Sequence, residues 1–91
     1  MNPLSALEKA AALQILDFIY EAGEATRSDV EAGVQGSSGT IGSTLVVLGE
    51  MGLLEERRGV RYQKRYISLS PLGKKIANHI HEIKITINAE S

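Results

Sequence analysis

The sequence predicts a single domain of the α+β class, mainly helical, in which three helices precede a β-hairpin and a fourth helix follows it. Apolar residues recur at helical spacing in three stretches, at about residues 5–21, 37–51 and 71–87. Glycines separate the helical stretches, as helix ends require. Residues 65–69 alternate apolar and polar side chains, which is typical of a strand. We therefore expect residues 1–91 to form one domain with one core.

The composition excludes several classes of function. Hydrophobic residues make up 43% of the chain and charged residues 23%, as in ordinary soluble globular proteins. The chain has no cysteine, which excludes disulfides, thiolate metal sites and cysteine nucleophiles. No apolar run approaches the roughly 18 residues of a membrane span, and residues 1–5 lack the features of a signal peptide. We therefore expect a cytoplasmic protein.

The net charge of −1 conceals two halves of opposite sign. Residues 1–56 hold nine acidic and two basic side chains, whereas residues 57–91 hold eight basic and two acidic ones. Such an asymmetry indicates a polyanionic partner for the basic half of the chain. Pairing between the two halves within the chain is the alternative explanation.

Capping patterns predict where the first two helices begin. Ser5-Ala6-Leu7-Glu8 has the form of a capping box, so the first helix is predicted to run from about 5 to 21, with Gly23 as its stop. Ser28-Asp29-Val30-Glu31 repeats the pattern and starts a second helix, with Thr26 as a competing cap. The second helix is predicted to be short, because glycines interrupt it soon afterwards.

The third helix, the hairpin and the fourth helix follow from similar signals. Ser37 or Ser38 caps the third helix, which ends at Gly52. Residues 53–58 and 64–69 are predicted to be the two strands of the hairpin. Ser70-Pro71 supplies a cap and a proline at the first position of the fourth helix.

Two stretches resemble the winged helix-turn-helix of small MarR- and ArsR-like transcription regulators. The first, from Ala25 to Leu54, ends in Leu45-Val46-Val47-Leu48-Gly49-Glu50-Met51-Gly52-Leu53-Leu54, similar to the end of a recognition helix. The second, Tyr66-Ile67-Ser68-Leu69-Ser70-Pro71-Leu72-Gly73, resembles a wing strand entering the next helix. The resemblance implies a helix-turn-helix at about 26–52, a wing at about 53–69 and a C-terminal dimerisation helix at about 71–87.

The resemblance implies binding of double-stranded DNA by a homodimeric transcription regulator. Its recognition helix, residues 37–51, would enter the major groove, and its basic wing, residues 57–65, would bind phosphates. The residues expected in the recognition helix and the turn are Gln35, Ser37, Ser38, Gly39, Thr40, Ser43, Val46 and Val47. Those expected in the wing are Arg57, Arg58, Arg61, Tyr62, Lys64 and Arg65.

The third helix carries no Arg, Lys, Asn or Gln to read base edges, so we expect weak or shape-dependent sequence discrimination. Gln35 and Arg27 are the nearest groups with such capacity. Gly39 and Gly42 weaken a helix, which indicates that DNA or another element approaches its backbone closely. A winged-helix module that binds proteins rather than DNA remains the alternative.

The fourth helix is predicted to form a dimer interface through isoleucines spaced four, three and four residues apart: Ile76, Ile80, Ile83 and Ile87. His79 with Glu82 faintly resembles the zinc ligands of ArsR-like sensors, but the second, well-separated histidine of that pattern is missing. We expect no catalytic residues, no metal and no cofactor. The chain is too short for the additional helices that build an effector pocket in longer MarR-like regulators, so an effector is not expected.

Overall fold

The structure, a computed structural model, describes residues 2–59 and 64–91. Within these residues a 3₁₀ helix precedes four α-helices, and three antiparallel strands form a sheet of order β1-β3-β2. This architecture confirms the predicted fold class. The elements are the 3₁₀ helix Pro3–Glu8, α1 (Ala12–Ala22), β1 (Glu24–Ala25), α2 (Arg27–Gly33), α3 (Ser38–Glu50), β2 (Leu54–Arg58), β3 (Arg65–Leu69) and α4 (Pro71–Glu90).

The predicted start of the first helix is wrong. The Asn2 side chain caps a 3₁₀ helix that ends at Glu8, and Ala11 then adopts a left-handed conformation with φ 65°. This break lets α1 begin at Ala12, so that its apolar face enters the core. The Thr44 hydroxyl of α3 donates a hydrogen bond to the Ala10 carbonyl at 2.8 Å, which fixes the break against α3.

Thr26, rather than Ser28 as the capping pattern predicted, caps the second helix, which begins at Arg27. The Thr26 hydroxyl accepts a hydrogen bond from the Asp29 backbone N–H, and the Asp29 carboxylate accepts one from the Thr26 N–H at 3.0 Å. These two bonds make a capping box of the usual spacing, in which aspartate takes the place of the usual glutamate or glutamine. Because its carboxylate accepts the Thr26 N–H, the pKa of Asp29 lies below its ordinary value of 3.8.

A two-residue strand ahead of α2 was not predicted. Glu24 pairs with Ser68 and Ala25 with Ile67, so β1 adds a third strand beside β3. A strand this short leaves no alternation in the sequence to detect. It joins the turn after α1 to the hairpin and buries Ala25.

The core lies between α1, the helix-turn-helix and the sheet. Three α1 residues, Ile15, Leu16 and Ile19, are fully buried at its centre. The other elements contribute Val30, Ile41, Leu48, Leu53, Ile67, Leu69 and Ala77. Since α3 buries the face that carries Ile41 and Leu48, its opposite face is left to solvent.

The start of α4 is joined to the backbone between α3 and β2. The Ser70 N–H donates to the Leu53 carbonyl at 2.9 Å, and the Ser70 hydroxyl donates to the Gly52 carbonyl. The same hydroxyl accepts from the Gly73 N–H at 3.0 Å and so caps α4. A Cβ atom on Gly73 would lie 2.0 Å from the Leu53 carbonyl oxygen. Only glycine therefore allows α4 to approach so closely, and we call this contact the Ser70–Gly73 joint.

The rest of α4 packs along α1. The Tyr20 hydroxyl donates to the Asn78 side chain at 2.9 Å, and the Lys84 ammonium donates to Asp17 at 2.7 Å. Lys84 also pairs with Glu21. No helix in the described part of the chain has an apolar stretch long enough to cross a membrane.

We predict that Gly73→Ala destabilises the protein by at least about 1–3 kcal/mol, the usual cost of overpacking a close contact. The reason is that the added Cβ collides with a backbone oxygen, which cannot rotate away. Gly49→Ala is the matched control, because a Cβ there meets no atom within 4 Å and alanine is the better helix former. Urea unfolding of both variants measures the effect. Equal free energies of unfolding for the two variants would contradict the prediction, because they would show that α4 can move away from the Leu53 carbonyl at no cost.

Candidate nucleic-acid interface

The exposed face of α3 is small and uncharged except at its end. Gly39, Ser43, Val46 and Glu50 are exposed along it, and Val46 is 60% exposed. Thr40 and Val47 are half-buried on its flank. This surface offers hydroxyls and methyl groups, which can contact bases but discriminate weakly among them.

The turn before α3 presents further polar groups beside this face. Gln35, Ser37 and Ser38 are all exposed. The Ser37 hydroxyl accepts from the Thr40 N–H at 3.2 Å, so Ser37 rather than Ser38 is the cap. The Ser38 hydroxyl donates to Glu31 of α2 and links the two helices. The structure thus brings the predicted residues of the turn and the helix together on one surface.

Arg27, at the first position of α2, lies across the start of α3. Its Nη2 donates to the Ser38 carbonyl at 3.1 Å, and its Nε lies 3.4 Å from Glu31 Oε1. A Cβ atom on Gly42 would lie 2.4 Å from Nη2. The group that approaches Gly42 closely is therefore the Arg27 guanidinium. The Arg27 side chain remains 55% exposed.

A groove of about 600 Å³ separates α3 from the sheet. Leu45 and Val46 of α3 and Leu54 and Ile67 of the sheet give it an apolar floor. Its charged lining residues are Arg27, Glu50, Glu56 and Arg65. The groove therefore follows the side of α3 that faces the hairpin and has both signs of charge around it.

The strand register divides the hairpin charges between two faces. Glu56 lies opposite Ile67 and Arg58 opposite Arg65, so these side chains share the face that lines the groove. Arg57 lies opposite Tyr66 on the other face. We call the first the groove face and the second the outer face.

On the outer face, Arg57 is held by its own chain. Its Nε and Nη2 donate to the two carboxylate oxygens of Glu24, each at 2.7 Å, and its guanidinium carbon lies 4.5 Å from the centre of the Tyr66 ring. Hydrogen bonding from Arg57 holds the pKa of Glu24 below its ordinary value of 4.5. Arg57, which the sequence assigned to phosphate binding, therefore fastens β2 to β1.

On the groove face, Arg58 and Arg65 are exposed and directly opposite each other. Within residues 2–59 and 64–91, neither forms an ion pair. Like charges opposite each other in a sheet are destabilising, so this pair favours an added anion. Lys64 is exposed beside them, whereas Arg61 and Tyr62 lie outside the described residues.

The isoleucines of α4 fall into two pairs. Ile76 and Ile80 are half-buried against the core of their own chain. Ile83 and Ile87 are 58% and 60% exposed and line a shallow depression of about 400 Å³ with His79, Glu82 and Thr86. The first pair thus contributes to the core, and the second leaves an apolar surface on α4.

Asp17, Glu21 and His81 form a group of metal-ligating side chains between α1 and α4. His81 Nδ1 lies 3.4 Å from Asp17 Oδ1. The Lys84 ammonium already donates to both carboxylates, which raises its own pKa and balances their charge. The group is therefore explained as an ion-pair network that fastens α4. His79 and Glu82 lie outside this group.

We predict that the Glu24–Arg57 pair opens as the pH falls through the lowered pKa of Glu24. Because the pKa of Glu24 is lower in the folded state than its ordinary value of 4.5, the pair stabilises the folded state fully at pH values above 4.5. This stabilisation is lost as the pH falls through the lowered pKa. The NMR resonance of the Arg57 Nε–H group should report a midpoint below 4.5. Glu24→Gln should abolish this titration. A midpoint at or above 4.5 would contradict the pairing.

Comparison with solved structures confirms the winged helix-turn-helix fold. A transcriptional regulator homologue from Pyrococcus horikoshii superimposes with a TM-score of 0.72 and 18% identity over 94% of this chain and 88% of that one. MepR, a transcription regulator of a Staphylococcus aureus multidrug efflux pump, superimposes with a TM-score of 0.68 and 18% identity, over 87% of this chain and 62% of that one. Reduced MarR from Escherichia coli superimposes with a TM-score of 0.76 and 22% identity, over 87% of this chain and 60% of that one. No family model and no curated protein matches the sequence.

Proposed function

We propose that this chain binds double-stranded DNA as a homodimeric transcription regulator in the cytoplasm and carries out no catalysis. In this proposal α3 enters the major groove and the wing binds the flanking phosphates. The observation that carries the proposal is the Arg58–Arg65 pair, two cations placed together beside α3 without an ion-pair partner among the described residues. The similar structures add support, since the Pyrococcus horikoshii protein is a transcriptional regulator homologue and MepR is a transcription regulator.

The recognition surface in this proposal consists of the predicted turn and helix residues. Their small side chains allow close approach to the major groove, and Ser and Thr hydroxyls can donate to bases or phosphates. Discrimination among sequences by these turn and helix residues would be weak or shape-dependent, with affinity supplied by the wing. The contacting residues are Gln35, Ser37, Ser38, Gly39, Thr40, Ser43, Val46 and Val47.

The phosphate-binding part of the wing consists of Arg58 and Arg65 on the groove face, with Lys64 beside them and Arg61 and Tyr62 as the sequence indicates. Arg57 contributes indirectly, because its guanidinium is occupied by Glu24 and stacked on Tyr66. Its role is to hold β2 in place, so that the groove face meets the phosphates in a fixed position.

The proposed dimer forms through Ile83 and Ile87 of α4. Both isoleucines are exposed on the same side of the helix, since they lie four residues apart. Ile85, which is 53% exposed, lies about 200° around the helix from Ile83. A twofold dimer through this side would present two copies of α3 to neighbouring half-sites on DNA.

A second candidate function is docking of a protein rather than DNA. The exposed Val46 and the apolar floor of the groove favour it, because both would suit a partner's apolar side chains. The two functions predict different responses to salt. DNA binding weakens steeply with salt through release of counterions, whereas burial of apolar surface does not.

We predict that Arg58→Gln and Arg65→Gln each reduce the salt dependence of duplex binding. Each lost phosphate contact lowers the slope of log affinity against log salt concentration by about one per protomer. Fluorescence anisotropy of a labelled mixed-sequence duplex between about 50 and 200 mM salt measures this slope. Lys75→Gln, the same charge loss on α4, is the control and should keep the wild-type slope. Wild-type protein that binds no duplex at the lowest salt would refute DNA binding.

We predict that Ile83→Glu converts the dimer to a monomer, because a carboxylate cannot be buried in an apolar interface without a partner. Ile85→Glu makes the same change on another side of α4 and should leave the dimer intact. Sedimentation velocity of the three proteins gives the masses. A wild-type monomer at all concentrations, or equal dissociation of both variants, would contradict the proposed interface.

A further inference from the structure

We infer that Arg27, although it belongs to α2, supplies the recognition surface with the base-reading guanidinium that α3 lacks, and that it contacts a guanine edge in the major groove. This inference rests on the proposed DNA binding and adds a residue that determines specificity. It arises from one juxtaposition in the structure. The Arg27 guanidinium lies on α3 at Gly42, on the flank of the exposed face and in the groove between α3 and the sheet.

Gly42 explains how a side chain of one helix reaches the surface of the other. A Cβ atom there would lie 2.4 Å from Nη2, 3.0 Å from Cζ and 3.3 Å from Nη1 of Arg27. The whole planar group therefore rests where any other residue would place its side chain. A glycine inside a helix weakens that helix relative to alanine. The space that Gly42 leaves for the Arg27 guanidinium is a physical reason for glycine at this position.

Two contacts fix the direction of the guanidinium. Nη2 donates to the Ser38 carbonyl at 3.1 Å, and Nε faces Glu31 at 3.4 Å. Glu31 is itself held by the Ser38 hydroxyl, which donates to the same Oε1 atom. Arg27 is thereby oriented before any ligand arrives, which reduces the entropy lost when it forms further hydrogen bonds.

The donors that remain match a two-acceptor ligand. A guanidinium has five N–H groups, and within the described residues only one on Nη2 and the one on Nε have acceptors. Three N–H groups, including both on Nη1, are left for a ligand. A pair of adjacent acceptors such as O6 and N7 of guanine accepts two parallel hydrogen bonds from such a fork.

Position and charge favour a base over a phosphate as the ligand. Glu31 offsets part of the positive charge of Arg27, which lowers its attraction for a phosphate but not the directionality of its hydrogen bonds. The guanidinium also lies against α3 itself, which enters the major groove in the proposed complex. The Arg58–Arg65 pair, by contrast, lies on the wing and forms no ion pair with a carboxylate among the described residues.

The test is selection of binding sites from a duplex library of random sequence by four proteins: the wild type, Arg27→Lys, Gly42→Ala and Gly49→Ala. Arg27→Lys keeps the charge but loses the fork. Gly42→Ala keeps Arg27, but its Cβ atom occupies the space in which the guanidinium lies. Gly49→Ala is the matched control, because it makes the same change in the same helix where a Cβ meets no atom within 4 Å.

The wild type and Gly49→Ala should enrich guanine at one position of each half-site, by roughly ten- to a hundredfold over other bases. Arg27→Lys and Gly42→Ala should lose this preference while still binding duplex with a steep salt dependence. The thermal unfolding midpoint of Gly42→Ala should not fall below that of the wild type, because the displaced group is the end of a flexible side chain. Lost preference would then not reflect unfolding.

Other results would overturn the inference in distinguishable ways. If Arg27→Lys and Gly42→Ala keep the wild-type preference, Arg27 does not read a base, although the proposed DNA binding stands. If Arg27→Lys weakens binding to all sequences equally, Arg27 contacts a phosphate instead. If the wild type retains no duplex at about 50 mM salt, the proposed DNA binding itself fails, and the inference with it.

Discussion

The contact of Gly73 with the Leu53 carbonyl is the constraint on which the remaining geometry depends. It occurs where the end of α3, the start of β2, the end of β3 and the start of α4 all meet. The Ser70 side chain and backbone bond to Gly52 and Leu53 at the same place. These contacts fix the orientation of the sheet relative to α3. The groove face of the hairpin therefore lies beside the exposed face of α3.

The distribution of charge follows from which acids the fold places near which bases. The basic half of the chain is partly balanced by the acidic half, since Arg57 pairs with Glu24 and Lys84 with Asp17. Pairing within the chain, the alternative explanation of the charge asymmetry, is thus correct for these residues. It does not extend to Arg58 and Arg65, for which the described residues provide no ion pair. Fastening Arg57 on the outer face holds the strand whose next residue, Arg58, faces the groove.

The sequence was sufficient for the fold class and for most elements, because apolar spacing and caps are local signals. The third helix, the hairpin strands and the start of α4 at Pro71 lie within a residue of the predicted bounds. The first helix was misplaced because Ser5 and Glu8 fit a capping box that a competing 3₁₀ helix prevents. The capping box at Thr26 is harder to detect in the sequence, because its reciprocal group is the Asp29 carboxylate and not the usual glutamate or glutamine.

The candidate site was less predictable because its key relations are between residues distant in sequence. Which hairpin bases face α3 depends on strand register, and the Glu24–Arg57 pair spans 33 residues. From the sequence, Arg27 is identifiable only as a basic residue close to the third helix. The glycine at position 42 was the available signal, because a glycine inside a helix indicates a close approach, but the sequence could not identify the group that approaches. Four of the wing residues, 60–63, lie outside the described part of the chain.

The most direct test of DNA binding by α3 and the wing is to map the surface that meets DNA, by following backbone amide NMR resonances while a mixed-sequence duplex is added. If these surfaces meet DNA, the largest shifts fall on Ser38, Gly39 and Ser43 of α3 and on Arg58 and Arg65 of the wing. The exposed residues of α4 around Ile83 should shift little. Shifts confined to α4, or none at about 50 mM salt, where phosphate contacts are strong, would contradict the claim that α3 and the groove face of the wing form a DNA-binding surface.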